Sequence, residues 1–136
     1  MKEIWEKQLM TGVKEIDVEH MTLIETVDEL YEAMQSGKGK EEVIGTLNFL
    51  KNYVKIHFKH EEALQVEYEY PNLHAHQDMH TEFVKQVENL SDLVEKNANT
   101  TNAMKVTYFC MEWLKQHIGV EDKQLADYIL AKRSNK

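Results

Sequence analysis

The sequence predicts an all-α fold: an antiparallel, up-down-up-down four-helix bundle with an N-terminal arm. Three observations predict it. Apolar residues recur at alternating spacings of three and four through four long stretches, the period of a helix that buries one face. Breakers are scarce, with one proline (Pro71) and five glycines in 136 residues, so little interrupts those stretches. The connections between the stretches are short and polar, which makes successive helices antiparallel neighbours.

The arm, residues 1–16, carries Trp5, Leu9, Val13 and Ile16, enough apolar surface to pack on a bundle. The first helix is expected from about Asp17, as its N-cap, to Gly37, just past its C-terminus. Its stripe is Ile16, His20, Leu23, Val27, Leu30 and Met34. The second runs from about Lys40 to Glu67, with Val43, Leu47, Leu50, Val54, His57, Glu61 and Leu64 on one face. "EYEYPN" then breaks the pattern: Pro71 pushes Tyr70 out of helical geometry, and Asn72 can cap the next helix. The third helix reaches about Lys96 with Leu73, His76, His80, Phe83, Val87, Leu90 and Val94. "KNANTTN" is a polar turn. The fourth begins near Thr101 with Ala103, Val106, Cys110, Trp113 and His117, and continues to about Ala131 with a local irregularity at Gly119.

Composition narrows the function. The net charge is −8, from 24 acidic and 16 basic residues. That disfavours nucleic acid and anionic membranes as partners, since both need basic patches. No apolar run approaches the roughly 20 residues of a membrane span. The N-terminus, "MKEIWEKQLM", lacks the apolar core of a secretory signal. Cys110 is the single cysteine, so no internal disulfide forms, and a cytoplasmic location is expected.

The stripes themselves hold the anomaly. His20, His57, Glu61, His76, His80 and His117 all fall on faces that should be buried. One histidine in such a place is most simply a hydrogen-bonded core residue. Several across four stripes, with a carboxylate among them, demand something central that satisfies them together, because burying an uncompensated charge costs several kcal/mol. A metal ion does this, turning imidazole nitrogens and carboxylate oxygens into ligands. His57 and Glu61, and likewise His76 and His80, are i, i+4 pairs, about 40° apart round the axis and about 6 Å apart along it. Alternating helix direction brings His20, His57, His76 and His117 to one end of the bundle. Asp122 lies about 140° round an ideal helix from His117 and reaches the site only if the backbone loosens around Gly119. Five histidines and two carboxylates exceed one ion's needs, so two metals sharing bridging carboxylates fit better. Imidazole-rich sites suit iron, copper, zinc and nickel.

With these residues the sequence resembles the hemerythrin family in its short bacterial single-domain form. The match runs through "GVKEIDVEH" (preceded by Trp5), "HFKHEE", "YPNLHAHQDMHTEF" and "WLKQHIGVED", which together extend over nearly the whole chain. The ordered set His, His-x3-Glu, His-x3-His, His-x4-Asp is highly specific. The resemblance implies one domain over residues 1–136 (arm 1–16, bundle 17–136) holding two non-haem iron ions. His76, His80 and His117 would ligate one iron. His20 and His57 would ligate the other and leave it an open position. Glu61 and Asp122 would bridge the pair beside a solvent-derived oxo or hydroxo group. The family binds O2 reversibly at the open position. The chain departs from the family pattern where Val18 and Glu19 precede His20 and where Met79 precedes His80, and neither departure is expected to touch a ligand.

The other candidates have simpler readings. His60 and His74 point away from the stripes and are expected at the surface, and Glu121 and Asp127 are expected as solvated charges. Cys110 is expected as a small core residue, and Met21, Met34 and Met111 as gap-fillers. Trp113, Phe83, Leu23 and Ile118 are candidates to wall a dioxygen pocket. The function expected is oxygen carriage, storage or delivery, with a protein partner possible in delivery and no enzymatic role. Its rivals are a di-iron peroxidase, oxidase or nitric oxide-handling enzyme, a sensor acting through a partner, and a structural zinc bundle. Structural zinc sites are usually closed and four-coordinate, which disfavours the last.

Overall fold

Each stretch with three-four periodicity forms a helix. The computed structural model describes residues 3, 5–37, 40–97 and 99–135. A wide turn at Trp5–Leu9 is followed by α1 (Lys14–Gln35), α2 (Lys40–Glu67), α3 (Leu73–Lys96) and α4 (Thr100–His117). A second wide turn, Ile118–Asp122, leads into α5 (Lys123–Ser134). α1 packs on α2 and α4, and α3 packs on the same two. This closes a four-helix bundle, with α5 extending α4 beyond the turn. Among the described residues there is no strand, and no helix is long and apolar enough to cross a membrane.

The first helix starts at Lys14 rather than Asp17, and its N-cap is Val13 in extended conformation. Asp17 lies within the first turn and faces backward. Its carboxylate accepts from Thr11 N (2.9 Å), Thr11 Oγ1 (2.7 Å) and Gly12 N (3.0 Å). An acidic group suits this position because the first turn leaves N–H dipoles unmatched. It pins the arm's loop onto the helix. Gly12 has φ 93° there, a backbone that favours glycine, and an added Cβ would stand 3.2 Å from Leu130 Cδ1, tight enough to make that side chain shift. At the other end Gly37 has φ 66° one residue past the C-cap Ser36, as the sequence predicts. Asn72 occupies the N-cap of α3 without making a side-chain cap bond. Asn99 does cap α4, accepting from Asn102 N at 2.8 Å. Ala98, inside the expected polar turn, and arm residues 1, 2 and 4 lie outside the described residues.

The arm's Trp5, Leu9, Val13 and Ile16 are all buried. The main core includes Leu23, Val27, Leu30, Leu47, Leu50, Val54, Phe58, Phe83, Val87, Val106, Cys110, Leu114 and Ile118. Met21, Met34 and Met111 pack at its edge as gap-fillers. A smaller cluster of Val13, Ile16, Tyr70, Leu125, Ala126 and Ile129 closes the end of the bundle. A polar layer separates the two. Along α1 it falls between Ile16 and Leu23, along α2 after Phe58, and along the fourth helical run between Leu114 and Leu125.

Candidate metal centre

The polar layer is where the candidate ligands meet. His20 comes from α1, His57 and Glu61 from α2, His76 and His80 from α3, His117 from the last turn of α4, and Asp122 from the wide turn. None is more than 3% exposed. The wide turn solves the spacing problem of Asp122. One extra residue per turn brings a side chain five positions on back beneath His117, and Asp122 Oδ1 lies 3.1 Å from His117 Nε2.

The donor atoms form two groups that share both carboxylates: His76, His80, His117, Glu61 and Asp122 in one, His20, His57, Glu61 and Asp122 in the other. In the first, His76 Nε2 is 2.8 Å from Glu61 Oε1 and 2.9 Å from Asp122 Oδ1. His117 Nε2 lies 3.1 Å from both His76 Nε2 and His80 Nε2. In the second, Asp122 Oδ2 is 2.9 Å from His20 Nε2. Glu61 Oε2 is 3.0 Å from His57 Nε2 and 3.6 Å from His20 Nε2. Each carboxylate thus gives one oxygen to each group.

These distances fit a metal better than a hydrogen-bond network. Donors at right angles on one ion, each about 2.1 Å from it, lie about 3.0 Å apart. His20 Nε2, His57 Nε2 and Glu61 Oε2 are buried without a properly aligned hydrogen bond despite their short contacts. Imidazole and carboxylate are together the donor set of borderline transition metals.

Without metal, the same crowding shifts the titrations. Burial works against the charged imidazole of His57, but its hydrogen bond to Glu19, its close contact with Glu61 and the charges of Glu61 and Asp122 lift its pKa to about 10. His76 is lifted to about 9 against burial by its bonds to Asp122 and Glu61. His20 is raised for the same reasons. Burial opposes ionisation of Glu61 and Asp122, yet the surrounding imidazoles hold both carboxyls well below the ordinary range.

Residues 11–129 match the family model for the hemerythrin HHE cation-binding domain. The chain belongs to the hemerythrin family. It is 25% identical over 127 residues to bacteriohemerythrin of Clostridium acetobutylicum, covering 91% of this chain and 98% of that one. Against bacteriohemerythrin of Methylococcus capsulatus it is 29% identical over 113 residues, covering 83% and 85%. A crystal structure of a hemerythrin with a leucine-to-tyrosine substitution superposes with TM-score 0.80 at 26% identity, covering 90% of this chain and 92% of that one.

Around these donor groups lies a ring of carboxylates that sequence reasoning missed. Glu19, placed away from the ligands on sequence grounds, accepts from His57 Nδ1 at 3.0 Å. Its other oxygen lies 2.6 Å from Nδ1 of His60. Glu62 faces His80 Nδ1 at 2.9 Å. Glu121, expected as a solvated charge, stands 3.8 Å from His117 Nδ1 with a side chain only 24% exposed. A carboxylate on the far nitrogen fixes an imidazole's tautomer and orientation. The signal available was weak: each acid directly precedes or follows a candidate ligand in sequence. His60 and His74 are exposed, as expected, although His60 is engaged by Glu19.

Aromatic rings pack against the candidate site. Phe58 stacks on His80 with centroids 3.7 Å apart and planes 3° apart. Trp113 stacks on His117 at 4.2 Å and on Phe83 at 4.1 Å. Leu23, Phe83 and Ile118 are fully buried in the same cluster, with Trp113 half-buried against it. Cys110 is a core residue, its thiol pushed up to about 12 by burial.

Proposed function

We propose that the protein binds dioxygen reversibly at a non-haem di-iron centre, for oxygen carriage, storage or delivery. One observation carries this reading: the two donor groups share both carboxylates but are unequal, five donors against four. In this assignment His76, His80 and His117 hold one iron, and His20 and His57 hold the other. Glu61 and Asp122 would hold both, since each gives one oxygen to each donor group. The four-donor side is where an external ligand enters. An iron pair held there would supply the two electrons that reversible O2 uptake requires.

The chain's own part is positional. Glu19 and Glu62 hold the imidazoles of His57 and His80 by their far nitrogens, and Glu121 places a carboxylate 3.8 Å from the far nitrogen of His117. Leu23, Phe83, Ile118 and Trp113 keep an apolar wall, which excludes water and slows the escape of a charged oxygen species. Neutral imidazoles outnumber carboxylates, so less negative charge is available to stabilise highly oxidised iron than in Glu-rich bundle oxidases. That favours reversible binding over substrate oxidation.

The test is to load metal-free protein anaerobically with Fe(II), admit O2, then remove it while following the visible spectrum. A coloured adduct that fades on deoxygenation is expected. No spectral change in protein that carries two irons would overturn the reading. A second reading, a di-iron enzyme, draws support from a groove of about 810 Å³ between the start of α1 and the end of α2. It is lined by Ile16, Val18 and Leu64 and borders His57 and Glu61, so a molecule larger than O2 has room beside the four-donor side, although the donor atoms themselves are buried. Rapid turnover of added peroxide would favour that reading.

A further inference from the structure

The buried stripe of α2 does not end as its apolar period predicts. Leu64 is only half-buried, and Gln65 takes the interior position with no exposed surface. Among the described residues, neither the amide nitrogen nor the amide oxygen of Gln65 has a hydrogen-bond partner. Farther up the helix the interior positions are Val43, Leu47, Leu50 and Val54, and an apolar side chain here would avoid the cost of two unmet polar atoms.

The position points to a purpose. Gln65 lies one turn beyond Glu61 on the same helix. Residues four apart share a face, and helical side chains lean toward the N-terminus, so the amide of Gln65 leans toward the level of Glu61. Glutamine and an acidic residue at this spacing form a recognised helix pair. Glu61 Oε2 is itself buried and, among the described residues, accepts no aligned hydrogen bond, although His57 Nε2 stands 3.0 Å away. The backbone at Gln65 is anchored, because Tyr70 N–H donates to its carbonyl at 2.9 Å.

We propose that Gln65 is a positioning residue for the metal centre, its Nε2–H donating to Glu61 Oε2 through the lone pair that metal binding leaves free. The inference rests on the di-iron reading above. The bond holds Glu61 in the rotamer that divides its two oxygens between the imidazole groups, and it gives the buried amide nitrogen a partner.

The test compares the wild-type chain with Gln65→Met, an apolar side chain of similar length, and with Gln65→Leu should the first fail to fold. Fe(II) affinity is read anaerobically by competition with a chromophoric chelator, and Tm is read on the metal-free proteins. The apolar variants are expected to bind Fe(II) about tenfold more weakly while their metal-free Tm equals or exceeds that of wild type. Unchanged affinity, or a loss of affinity that follows a fall in metal-free Tm, overturns the proposal. Wild-type protein that takes up no Fe(II) overturns the di-iron reading and this inference together. Wild type with two irons beside an unaffected Gln65→Met chain overturns the role of Gln65 alone.

Discussion

Glu61 and Asp122 reach the same two imidazole nitrogens from different helical runs. Oε1 of Glu61 and Oδ1 of Asp122 lie 2.8 and 2.9 Å from His76 Nε2. Oε2 of Glu61 and Oδ2 of Asp122 lie 3.6 and 2.9 Å from His20 Nε2. A pair of carboxylates laid across two imidazole sets is the arrangement a two-metal bridge needs. Removing either should therefore affect both metals. Glu61→Ala is expected to lower iron well below two per chain, measured by metal analysis on folded protein. Iron content equal to wild type would remove Glu61 from the bridge.

The helical stripe of α3 separates its three clustered histidines. His76 and His80 are buried in the polar layer, while His74 is exposed. His74→Ala should leave iron content intact. His76→Ala or His80→Ala should lower it, because each removes a donor from the five-donor group. Equal iron loss in all three variants would show that the effect is a general weakening of α3 and not loss of a ligand.

The helices were legible because burial on one face writes a period into the sequence. His20, His57, Glu61, His76, His80 and His117 were legible because they violate that period in polarity while obeying it in position. Asp122 was not. Its reach depends on the wide turn at Ile118–Asp122, a backbone irregularity that Gly119 hints at without specifying. Asp17 misled for a related reason. It has the chemistry of an N-cap, but its carboxylate binds N–H groups of the preceding loop, and the extended backbone at Val13 starts the helix. Glu19 was missed because its partner His57 lies 38 positions away. A contact between helices leaves no periodic trace, and neither does the burial of Gln65 in place of Leu64.

Glu19 links an exposed histidine to a buried one, meeting His60 Nδ1 at 2.6 Å and His57 Nδ1 at 3.0 Å. Glu19→Ala should weaken Fe(II) binding by about 10-fold to 100-fold, the usual cost of losing a partner that orients a metal-held imidazole. Glu19→Gln keeps a carbonyl acceptor for the His57 N–H and should recover most of that loss. His60→Ala should matter little, since the side chain of His60 is 62% exposed. Competition with a chromophoric chelator measures all three. Equal losses for Glu19→Ala and Glu19→Gln would mean that charge, not orientation, is what Glu19 supplies.

The centre should also give metal-free and metal-loaded protein opposite responses to pH. In the metal-free state His57 and His76 are raised to about 10 and about 9, above the ordinary imidazole value of about 6.5. A raised pKa contributes stability that is complete below about pH 6.5 and is lost as pH climbs through the folded values. Glu61 and Asp122 are depressed, so their contribution is complete above the ordinary carboxyl range and is lost only in strong acid. Metal-free Tm should therefore fall between about pH 6.5 and about pH 10. Metal binding needs unprotonated imidazoles, so loading near pH 7 must displace the protons on His57 and His76. Affinity should rise with pH over the interval in which metal-free stability falls. The gap in Tm between loaded and metal-free protein should widen from about pH 6.5 to about pH 9, and loading in weak buffer should release protons. A gap independent of pH, with no proton release, would show that these imidazoles are already neutral before the metal arrives.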